Sequence, residues 1–359
     1  MEEVHMYCIG VDYHKRYSHM TVMDAQGHVI QAGTVPNTAD AVRGFVARYR
    51  AGGRAAVEAT RNWTVIYDLL EAELEEVQLA HPLKVRAIAE ARIKTDRISS
   101  WTLAHLLRCD LLPTAYVRPK AQRSAQLILR QRMFFVRLQT MVKNRIHVLV
   151  DRQPEVREVA TEFSDLFGAA GLAWLRTVGV PSAERQLLNS ELELLEALRL
   201  RIAKSDALVK QLGEGDARVA WVRTIPGFGP FFSVLVVQEI GEIRRFAGPD
   251  KLCAYAGLVP SVYASGGKVF YGRLTKQGNK WLRWALVEAI APAVRSDSDL
   301  RQYYERVRHR KGPNAAKVAT ARRLLTLVYR VLSQERPYEV RRRPGIRTGH
   351  VARTALTAS

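Results

Sequence analysis

Three acidic residues lie where metal-assisted chemistry would need them. Asp12 follows the apolar run YCIGV, Glu58 follows AAV, and Asp96 opens the segment DRISSWTLAHLL. A carboxylate that ends a buried strand is unfavourable unless it is hydrated or bound to a cation. Three oxygen ligands of this kind suit Mg²⁺, or Mn²⁺ in its place, which assists phosphoryl transfer by activating the nucleophile and steadying the leaving oxygen.

Each of these acids also has an ordinary structural explanation. Asp12 could be a turn residue at a strand end, Glu58 a surface acid, and Asp96 the N-cap of a helix. Their joint placement on suitable elements favours the metal-binding interpretation over three separate coincidences.

A second candidate for chemistry is a serine in the segment PSVYASGGK. Ser261 and Ser265 are predicted to lie in a loop between two helical stretches, and Gly266 and Gly267 follow Ser265. A nucleophilic serine needs exposure and backbone freedom, which Ser-Gly-Gly supplies, although the same triplet is commonly only a turn. The surrounding cations that could neutralise a phosphate backbone are Lys268, Arg273, Lys276, Lys280 and Arg283.

The turn IPGFGP joins two predicted helices and resembles a helix-hairpin-helix element. Gly227 and Gly229 would expose backbone N–H groups to a nucleic-acid phosphate beside a helix N-terminus. The alternative is a tight interhelical turn, and the two interpretations are compatible.

The elements that must position the acids are predicted by periodicity. Residues 7–13, 18–24 and 28–34 indicate three short strands, and a buried strand at 54–59 and a further strand before Pro82 alternate with helices. This order is typical of a ribonuclease-H-like sheet. It places the first and fourth strands side by side, so that Asp12 and Glu58 would meet at one edge.

The middle of the chain has a different pattern. Segments 124–150 and 190–212 carry apolar residues at helical spacing, and they predict two long antiparallel helices, a stalk suited to coiled-coil self-association. An ordinary helical subdomain is the alternative. The segment RRRPGIRTGHVARTALTAS lacks apolar periodicity and predicts a disordered basic tail.

Charge and composition indicate the kind of partner. The chain has 359 residues, and 55 Lys and Arg against 35 Asp and Glu give a formal net charge of +20. Such a surplus favours a polyanion. No long apolar run predicts a membrane span, and the N-terminus lacks the pattern of a secretory signal, so a cytoplasmic protein is expected. The three cysteines have no metal-ligand spacing and are expected to be buried thiols.

Together these motifs resemble the IS110/IS116/IS902 transposase family. GVDYHK, VEAT and KTDRISS resemble its three acidic motifs, and the block from IPGFGP to NKWLR is similar to its transposase domain over nearly the whole length of that domain. The likeness covers almost the entire chain to about residue 335.

The resemblance implies a specific organisation and activity. It implies a RuvC-like domain at 1–118, a coiled-coil stalk at 119–215 and a mainly α transposase domain at 216–335, while composition predicts the basic tail at 336–359. It maps the metal ligands onto Asp12, Glu58 and Asp96, and the nucleophile onto Ser265. It further implies recombination of DNA at an insertion element and a structured noncoding guide RNA. The predicted stalk, in turn, indicates a homo-oligomer, a dimer or tetramer.

One departure from the family pattern bears on activity. The third motif usually has a second aspartate three residues after the first, and this chain has Ser99 there. Two other functions therefore stay open: a catalytically impaired nucleic-acid-binding remnant, and a RuvC-like nuclease that hydrolyses DNA without a covalent intermediate.

Overall fold

The chain divides into two compact units, Met1–Arg118 and Pro119–Ser359. A computed structural model describes residues 6–89, 95–265, 267–274 and 277–339. No helix in these ranges combines the length and the apolar character that crossing a bilayer requires.

The first unit is built on a mixed five-stranded sheet. Its strands are β1 (Tyr7–Tyr13), β2 (Tyr17–Met23), β3 (Val29–Pro36), β4 (Gly53–Glu58) and β5 (Glu76–Ala80). Their order is β3-β2-β1-β4-β5; β1, β2 and β3 are antiparallel, whereas β4 runs parallel to β1 and β5 parallel to β4. The predicted strands and the pairing of the first strand with the fourth are confirmed.

Helices cover both faces of this sheet. They are α1 (Ala39–Val46), α2 (Thr64–Glu71), α3 (Pro82–Ile88) and α4 (Asp96–Arg108). Ile9 and Val11 point into the core shared with Val42 and Ile66, while Cys8 points to the opposite core, which includes Leu107. The alternation of side chains along β1 thus buries both faces, as expected for a strand at the centre of a sheet.

Helix α4 packs on β1 through a glycine. A Cβ atom at Gly10 would lie 1.9 Å from the carbonyl oxygen of Ser100, so no larger residue fits there. The buried Ser100 Oγ lies 2.8 Å from Thr21 Oγ1 and 2.8 Å from His19 Nδ1, both on β2. These contacts fix the first turns of α4 against the strands that precede them.

The second unit is mostly helical. Its helices are α5 (Lys120–Asp151), α6 (Pro154–Thr161), α7 (Ala169–Thr177), α8 (Ser182–Gly213), α9 (Ala217–Arg223), α10 (Pro230–Ile240), α11 (Pro249–Tyr255), α12 (Lys280–Glu288), α13 (Ile290–Ser296), α14 (Ser298–Lys311) and α15 (Pro313–Ser333). A core including Leu235, Leu286 and Leu324 joins the helices that follow α8 to one end of the α5–α8 pair.

The two long helices, α5 and α8, have 32 residues each and pack against one another. Arg132 Nε lies 2.5 Å from Asp206 Oδ1, and Arg145 Nε lies 2.5 Å from Glu191 Oε1. Higher numbers on α5 face lower numbers on α8, so the pair is antiparallel, as predicted. Its contacts lie within one chain; self-association through this pair stays a prediction.

The expected loop around the serines is instead a β-hairpin. Strand β6 (Pro260–Ser265) pairs with β7 (Lys268–Leu274), and Ser265 lies opposite Lys268. Gly267 in the turn has a φ of 75°, a conformation that favours glycine. Alternating Val, Tyr and Phe residues on either side of a Gly-Gly pair explain the hairpin, since such residues favour strands.

Two further expectations concern cysteines and the tail. Cys8 and Cys253 are buried free thiols as expected, but Cys109 is exposed because it follows the last residue of α4. In the segment assigned to the tail, the backbone N–H of Tyr338 donates to Thr224 Oγ1 at 2.8 Å, so this residue packs on the end of α9. Residues 340–359 lie outside the described part of the chain.

Candidate active site

Two of the three predicted acids meet a histidine at one edge of the first unit. One ligand atom from each of Asp12, His14 and Asp96 lies within 4.8 Å of the other two. Asp12 is the penultimate residue of β1, His14 follows that strand, and Asp96 is the first residue of α4. Thr95 caps this helix by accepting a hydrogen bond from the backbone N–H of Ile98, which fixes where the helix begins.

The imidazole of His14 lies against both carboxylates. Its Nε2 atom lies 3.1 Å from Asp96 Oδ2 and 3.8 Å from Asp12 Oδ2. That atom is shielded from solvent and makes no hydrogen bond to any described residue. The ring packs on Tyr17, with the two centroids 4.9 Å apart. A shielded nitrogen beside two carboxylate oxygens is a donor set that a divalent cation can satisfy.

The phenol of Tyr17 contacts Asp96, and its pKa is affected by the negative charge of this cluster. Its hydroxyl donates a hydrogen bond to Asp96 Oδ2 at 3.3 Å. The charge of Asp96 raises the pKa of the Tyr17 phenol, and burial, this hydrogen bond and the charge of Asp12 act in the same direction. The phenol therefore stays protonated at neutral pH and donates to the carboxylate.

Glu58 lies on the strand next to Asp12. Val57 is the register partner of Val11, so Glu58 comes one position further along β4, just as Asp12 does along β1. Its side chain is half-buried, and it is not one of the three residues in the compact cluster. The structure thus brings Asp12 and Asp96 together and places Glu58 at the neighbouring strand position.

Ser99, which stands where the family pattern has a second aspartate, and His14 also lie in this part of the first unit. Ser99 is half-buried in the first turn of α4, and the hydroxyl that this helix buries is that of the next residue, Ser100. His14 was missed as a candidate ligand. The signal was its spacing, because residues two apart at a strand end share a face of the sheet.

The two candidate serines of the second unit differ in their surroundings. Ser265 is exposed at the tip of the hairpin, opposite the exposed Lys268. Ser261 is half-buried, and its Oγ would lie 2.3 Å from a Cβ atom at Gly272. Ser261 therefore packs over the facing strand, whereas Ser265 is open to a ligand.

The predicted phosphate-binding cations are spread along the hairpin and beyond it. Lys280 is the exposed first residue of α12. Arg273 lies in β7, but its side chain is outside the described part of the structure, as is the whole of Lys276.

The two glycines of the predicted DNA-binding turn differ in environment. Gly227 has a φ of 93°, and a Cβ atom there would lie 2.3 Å from the carbonyl oxygen of Ala289, so close packing alone requires a glycine. Gly229 is exposed at the N-terminus of α10, with open space around it. Of the two, Gly229 has the surroundings that a phosphate would need.

A buried carboxylate anchors the chain where it leaves the hairpin. Asn279 caps α12 by accepting from the backbone N–H groups of Trp281 and Leu282, and its amide donates to Glu239 Oε2 at 2.7 Å. Glu239 is fully buried on α10, and Arg130 Nη2 lies 3.2 Å from its Oε1. These contacts tie α5, α10 and the start of α12 together.

Comparisons with known proteins agree on one family. Residues 9–153 match the IS110-type DEDD transposase domain, described as "Transposase", and residues 219–305 match the "Transposase IS116/IS110/IS902 family". Together the two matches cover more than half of the chain.

Curated relatives carry corresponding names. The chain is 28% identical over 239 residues to a probable family 20 transposase of Pseudomonas aeruginosa, covering 64% of this chain and 68% of that protein. It is 23% identical over 266 residues to the transposase for insertion sequence element IS1111A of Coxiella burnetii, covering 73% and 72% of the two chains.

Proposed function

Because this chain belongs to the IS110/IS116/IS902 family of transposases, we propose that it recombines DNA through a nucleophilic serine, Ser265, assisted by a divalent cation in the first unit. The enzyme is a DNA transposase of an insertion element. The observation that supports the finer proposal is the pairing of an exposed Ser265 with Lys268 at the tip of a hairpin. We further propose that a structured noncoding RNA guides it and that it acts as a dimer or tetramer.

The architecture fits this proposal. A mixed sheet of order β3-β2-β1-β4-β5 with acids at the ends of β1 and β4 is compatible with a RuvC-like, ribonuclease-H-like domain. For the second unit we propose that α5 and α8 form the coiled-coil stalk and that the later helices form the transposase domain. The α9–turn–α10 segment would then be its helix-hairpin-helix-like element.

The residues at the edge of the sheet fit a divalent cation. Asp12, Asp96 and the shielded Nε2 of His14 would hold it, with Glu58 as a further oxygen ligand from the neighbouring strand. Mg²⁺ or Mn²⁺ bound there would offset the negative charge that develops on the phosphoryl oxygens. Thr95 and Gly10 serve the site indirectly, because the cap and the close packing of α4 hold Asp96 beside Asp12.

The proposed covalent step conserves the energy of the broken bond. The Oγ of Ser265 attacks a phosphodiester, an Oγ–P bond forms, and the P–O bond to the leaving sugar oxygen breaks. The serine proton is lost to a base, and the leaving oxygen gains a proton. The reverse attack by a sugar hydroxyl would rejoin the strand without an external energy source.

The base that activates the serine is proposed to come from the acidic site. No histidine occurs between residues 216 and 300, so a serine–histidine pair cannot be drawn from nearby sequence. Lys268 would offset phosphoryl charge. We propose that the acidic site of the same or a neighbouring subunit supplies the activation.

Trapping a covalent protein–DNA adduct tests the serine assignment. Ser265→Ala is expected to eliminate the adduct, and the matched variant Ser261→Ala to retain it. Mixing Ser265→Ala with Asp12→Ala subunits is expected to restore some activity if subunits share the site. An adduct that survives in Ser265→Ala, or that mass spectrometry maps to another residue, would refute the assignment.

A separate experiment tests the acidic site. Asp12→Ala and Glu58→Ala are expected to abolish strand cleavage while leaving nonspecific nucleic-acid affinity nearly unchanged. These carboxylates repel phosphate unless a cation is bound, so they are expected to serve the chemistry and not the binding. Recombination at the wild-type rate by either variant would contradict the assignment.

Ser99 favours one alternative function. A neutral hydroxyl attracts a divalent cation less than a carboxylate does, so the chain could be a nucleic-acid-binding remnant. Binding without cleavage or adduct would support that alternative, whereas metal-dependent nicking without an adduct would support a RuvC-like nuclease.

A further inference from the structure

Two aromatic side chains are exposed on the hairpin that carries Ser265. Tyr263 is 68% exposed and Phe270 is 63% exposed. They are register partners on β6 and β7, so their side chains stand next to each other across the two strands. A cross-strand aromatic pair is usually buried against another element, and here it faces outward.

The pair shares a face with the proposed nucleophile. Side chains alternate along a strand, so Ser265 lies on the same face as Tyr263, and its partner Lys268 on the same face as Phe270. A ring bound on the aromatic pair would therefore lie beside Ser265 and Lys268, which occupy the next positions on the same face of the hairpin.

Gly272 continues this face toward the base of the hairpin. A Cβ atom there would lie 2.3 Å from Ser261 Oγ and 3.6 Å from Tyr263 Cε2. The glycine leaves room for Ser261 and keeps the surface beside the Tyr263 ring free of a further side chain.

The base of the hairpin borders a large cavity that is lined by apolar residues and by four basic ones. The cavity has a volume of about 1490 Å³, and Gly272 and Leu274 of β7 form part of its wall. The opposite wall is formed by α14 and α15, and its basic residues are Arg306, Arg310, Lys311 and Arg322. Small-molecule sites occupy roughly 300–1,000 Å³, so this cavity suits an extended ligand better than a single small one.

The charge of the cavity identifies the ligand class. Among the described residues no acid lies within 4.0 Å of the charged groups of Arg306, Arg310 or Lys311, while Arg322 pairs with the exposed Asp250. The guanidinium of Arg306 lies over the ring of Tyr303. Cations without an acidic partner, in a cavity that reaches a hairpin with two exposed aromatic rings, suit a polyanion with flat apolar groups, which is the chemistry of single-stranded nucleic acid.

We propose that Tyr263 and Phe270 stack on unpaired bases of the DNA strand whose phosphate Ser265 attacks, and that Arg306, Arg310 and Lys311 hold the backbone of that strand. This rests on the proposed function, since only a nucleophilic Ser265 makes the stacked strand the substrate. The cavity, the aromatic pair and the serine then form one continuous path along one face of the hairpin.

Binding of a single-stranded DNA oligonucleotide that contains 2-aminopurine tests the stacking. The measurement uses the full chain with Ser265→Ala and no divalent cation, so that no chemistry occurs. Quenching of 2-aminopurine is expected in this background and is expected to be lost in Tyr263→Ala and Phe270→Ala. Each of these substitutions is expected to weaken binding about tenfold, whereas Tyr263→Phe retains it.

Matched controls separate stacking from general effects. Phe134→Ala removes an exposed aromatic on α5 and is expected to leave quenching and affinity unchanged. Arg310→Gln and Lys311→Gln are each expected to reduce the slope of the logarithm of the binding constant against the logarithm of the salt concentration by roughly 0.7. Lys204→Gln on α8 is the control and is expected to leave this slope unchanged.

Three results would overturn the proposal. These are quenching that survives in both aromatic variants, an equal effect of Phe134→Ala, and a dependence on the aromatic pair seen with RNA of the same sequence but not with DNA. The proposed function is tested separately, because its test is the covalent adduct on Ser265 and not this binding assay.

Discussion

At the scale of single residues, His14 bears on which cation the proposed metal site would prefer. Carboxylates alone suit Mg²⁺ and Mn²⁺ alike, but an imidazole nitrogen is a better ligand for Mn²⁺ and later transition metals than for Mg²⁺. Its Nε2 lies 3.1 Å from Asp96 and lacks a hydrogen bond to any described residue. A cation bound there would be shared by that nitrogen and the two carboxylates beside it.

His14→Ala is therefore expected to weaken Mn²⁺ binding about tenfold and Mg²⁺ binding much less. Calorimetric titration of each metal into the wild type and the variant measures the difference. His28→Ala is the matched control, because His28 is 80% exposed and pairs with Asp24, outside the cluster. An equal loss for both metals would mean that His14 only supports the fold of the site.

Some of the site residues can be predicted from their spacing in the sequence, and others cannot. Asp12 and Asp96 were predicted because each begins or ends an element that periodicity identifies, and the structure brings them together. Glu239 was missed because its role depends on contact with Asn279, 40 positions away in sequence, and the approach of His14 to Asp96 likewise joins residues 82 positions apart. No local pattern records which distant residue a folded chain will place beside a ligand.

At the scale of elements, the position of Asp96 depends on how closely α4 approaches β1. Gly10→Ala is expected to destabilise the first unit by about 1–3 kcal/mol, because its Cβ would lie 1.9 Å from the carbonyl oxygen of Ser100. Displacement of α4 would also separate Asp96 from Asp12, so metal affinity is expected to fall in the same variant. Thermal unfolding and metal titration measure the two effects.

Gly33→Ala is the matched control for that substitution. Gly33 lies on β3, and its added Cβ would meet only the ring of Phe45, at an ordinary 3.9 Å. Unchanged or increased stability is expected there, since alanine loses less conformational entropy than glycine on folding. Equal losses in the two variants would show that any methyl group on this sheet is harmful and that the approach of α4 has no special role.

The cap of α9 gives a prediction with a pH dependence. The side chain of Asp216 accepts from the backbone N–H of Arg218 and from its guanidinium, at 3.0 Å and 2.7 Å. Burial raises the pKa of Asp216, but these interactions with Arg218 outweigh burial and lower it below the ordinary value. A carboxyl whose pKa is lower in the folded state stabilises the fold above its unfolded pKa, about 3.9, and loses that contribution as the pH falls through the folded pKa.

Asp216→Asn keeps the cap and removes the charge, and Asp216→Ala removes both. The free energy of unfolding of the wild type is expected to exceed that of Asp216→Asn above about pH 5, and the difference is expected to vanish below the folded pKa. Asp216→Ala is expected to lose about 1 kcal/mol more from the missing cap. Denaturant unfolding across this pH range tests both; a difference that does not change with pH would rule out the ionised carboxylate as its source.

The hairpin shows where prediction of elements from sequence fails. The five strands of the first unit were recognised because their apolar residues repeat with a period of two or run continuously between turn signals. Residues 260–274 also alternate, but their exposed face carries Tyr263 and Phe270, so the apolar pattern did not separate one face from the other. A strand with aromatic residues on its solvent-exposed face lacks the apolar–polar alternation by which strands are recognised in sequence.

At the scale of the whole molecule, net charge is the property that sequence alone specifies fully. The formal charge of +20 arises from 55 basic and 35 acidic residues and does not depend on the fold. The structure adds that many acids are already neutralised locally, as Glu191 is by Arg145 and Glu73 by Arg43. The cations left for a polyanion are therefore those without such partners, and the cavity beside the hairpin holds three of them, Arg306, Arg310 and Lys311.

Binding to duplex DNA is accordingly expected to depend steeply on salt. Each neutralised phosphate releases condensed counterions, and a protein with 6–10 phosphate contacts loses roughly 10³–10⁵ in affinity between 50 and 200 mM salt. Fluorescence anisotropy across this range measures the slope of the logarithm of the binding constant against that of salt. Arg310→Gln combined with Lys311→Gln is expected to lower the slope by about 2 on duplex DNA, and Lys204→Gln to leave it unchanged. A flat response would remove the electrostatic argument for a nucleic-acid partner, and a steep one that the cavity variants do not alter would place the binding surface elsewhere on the molecule.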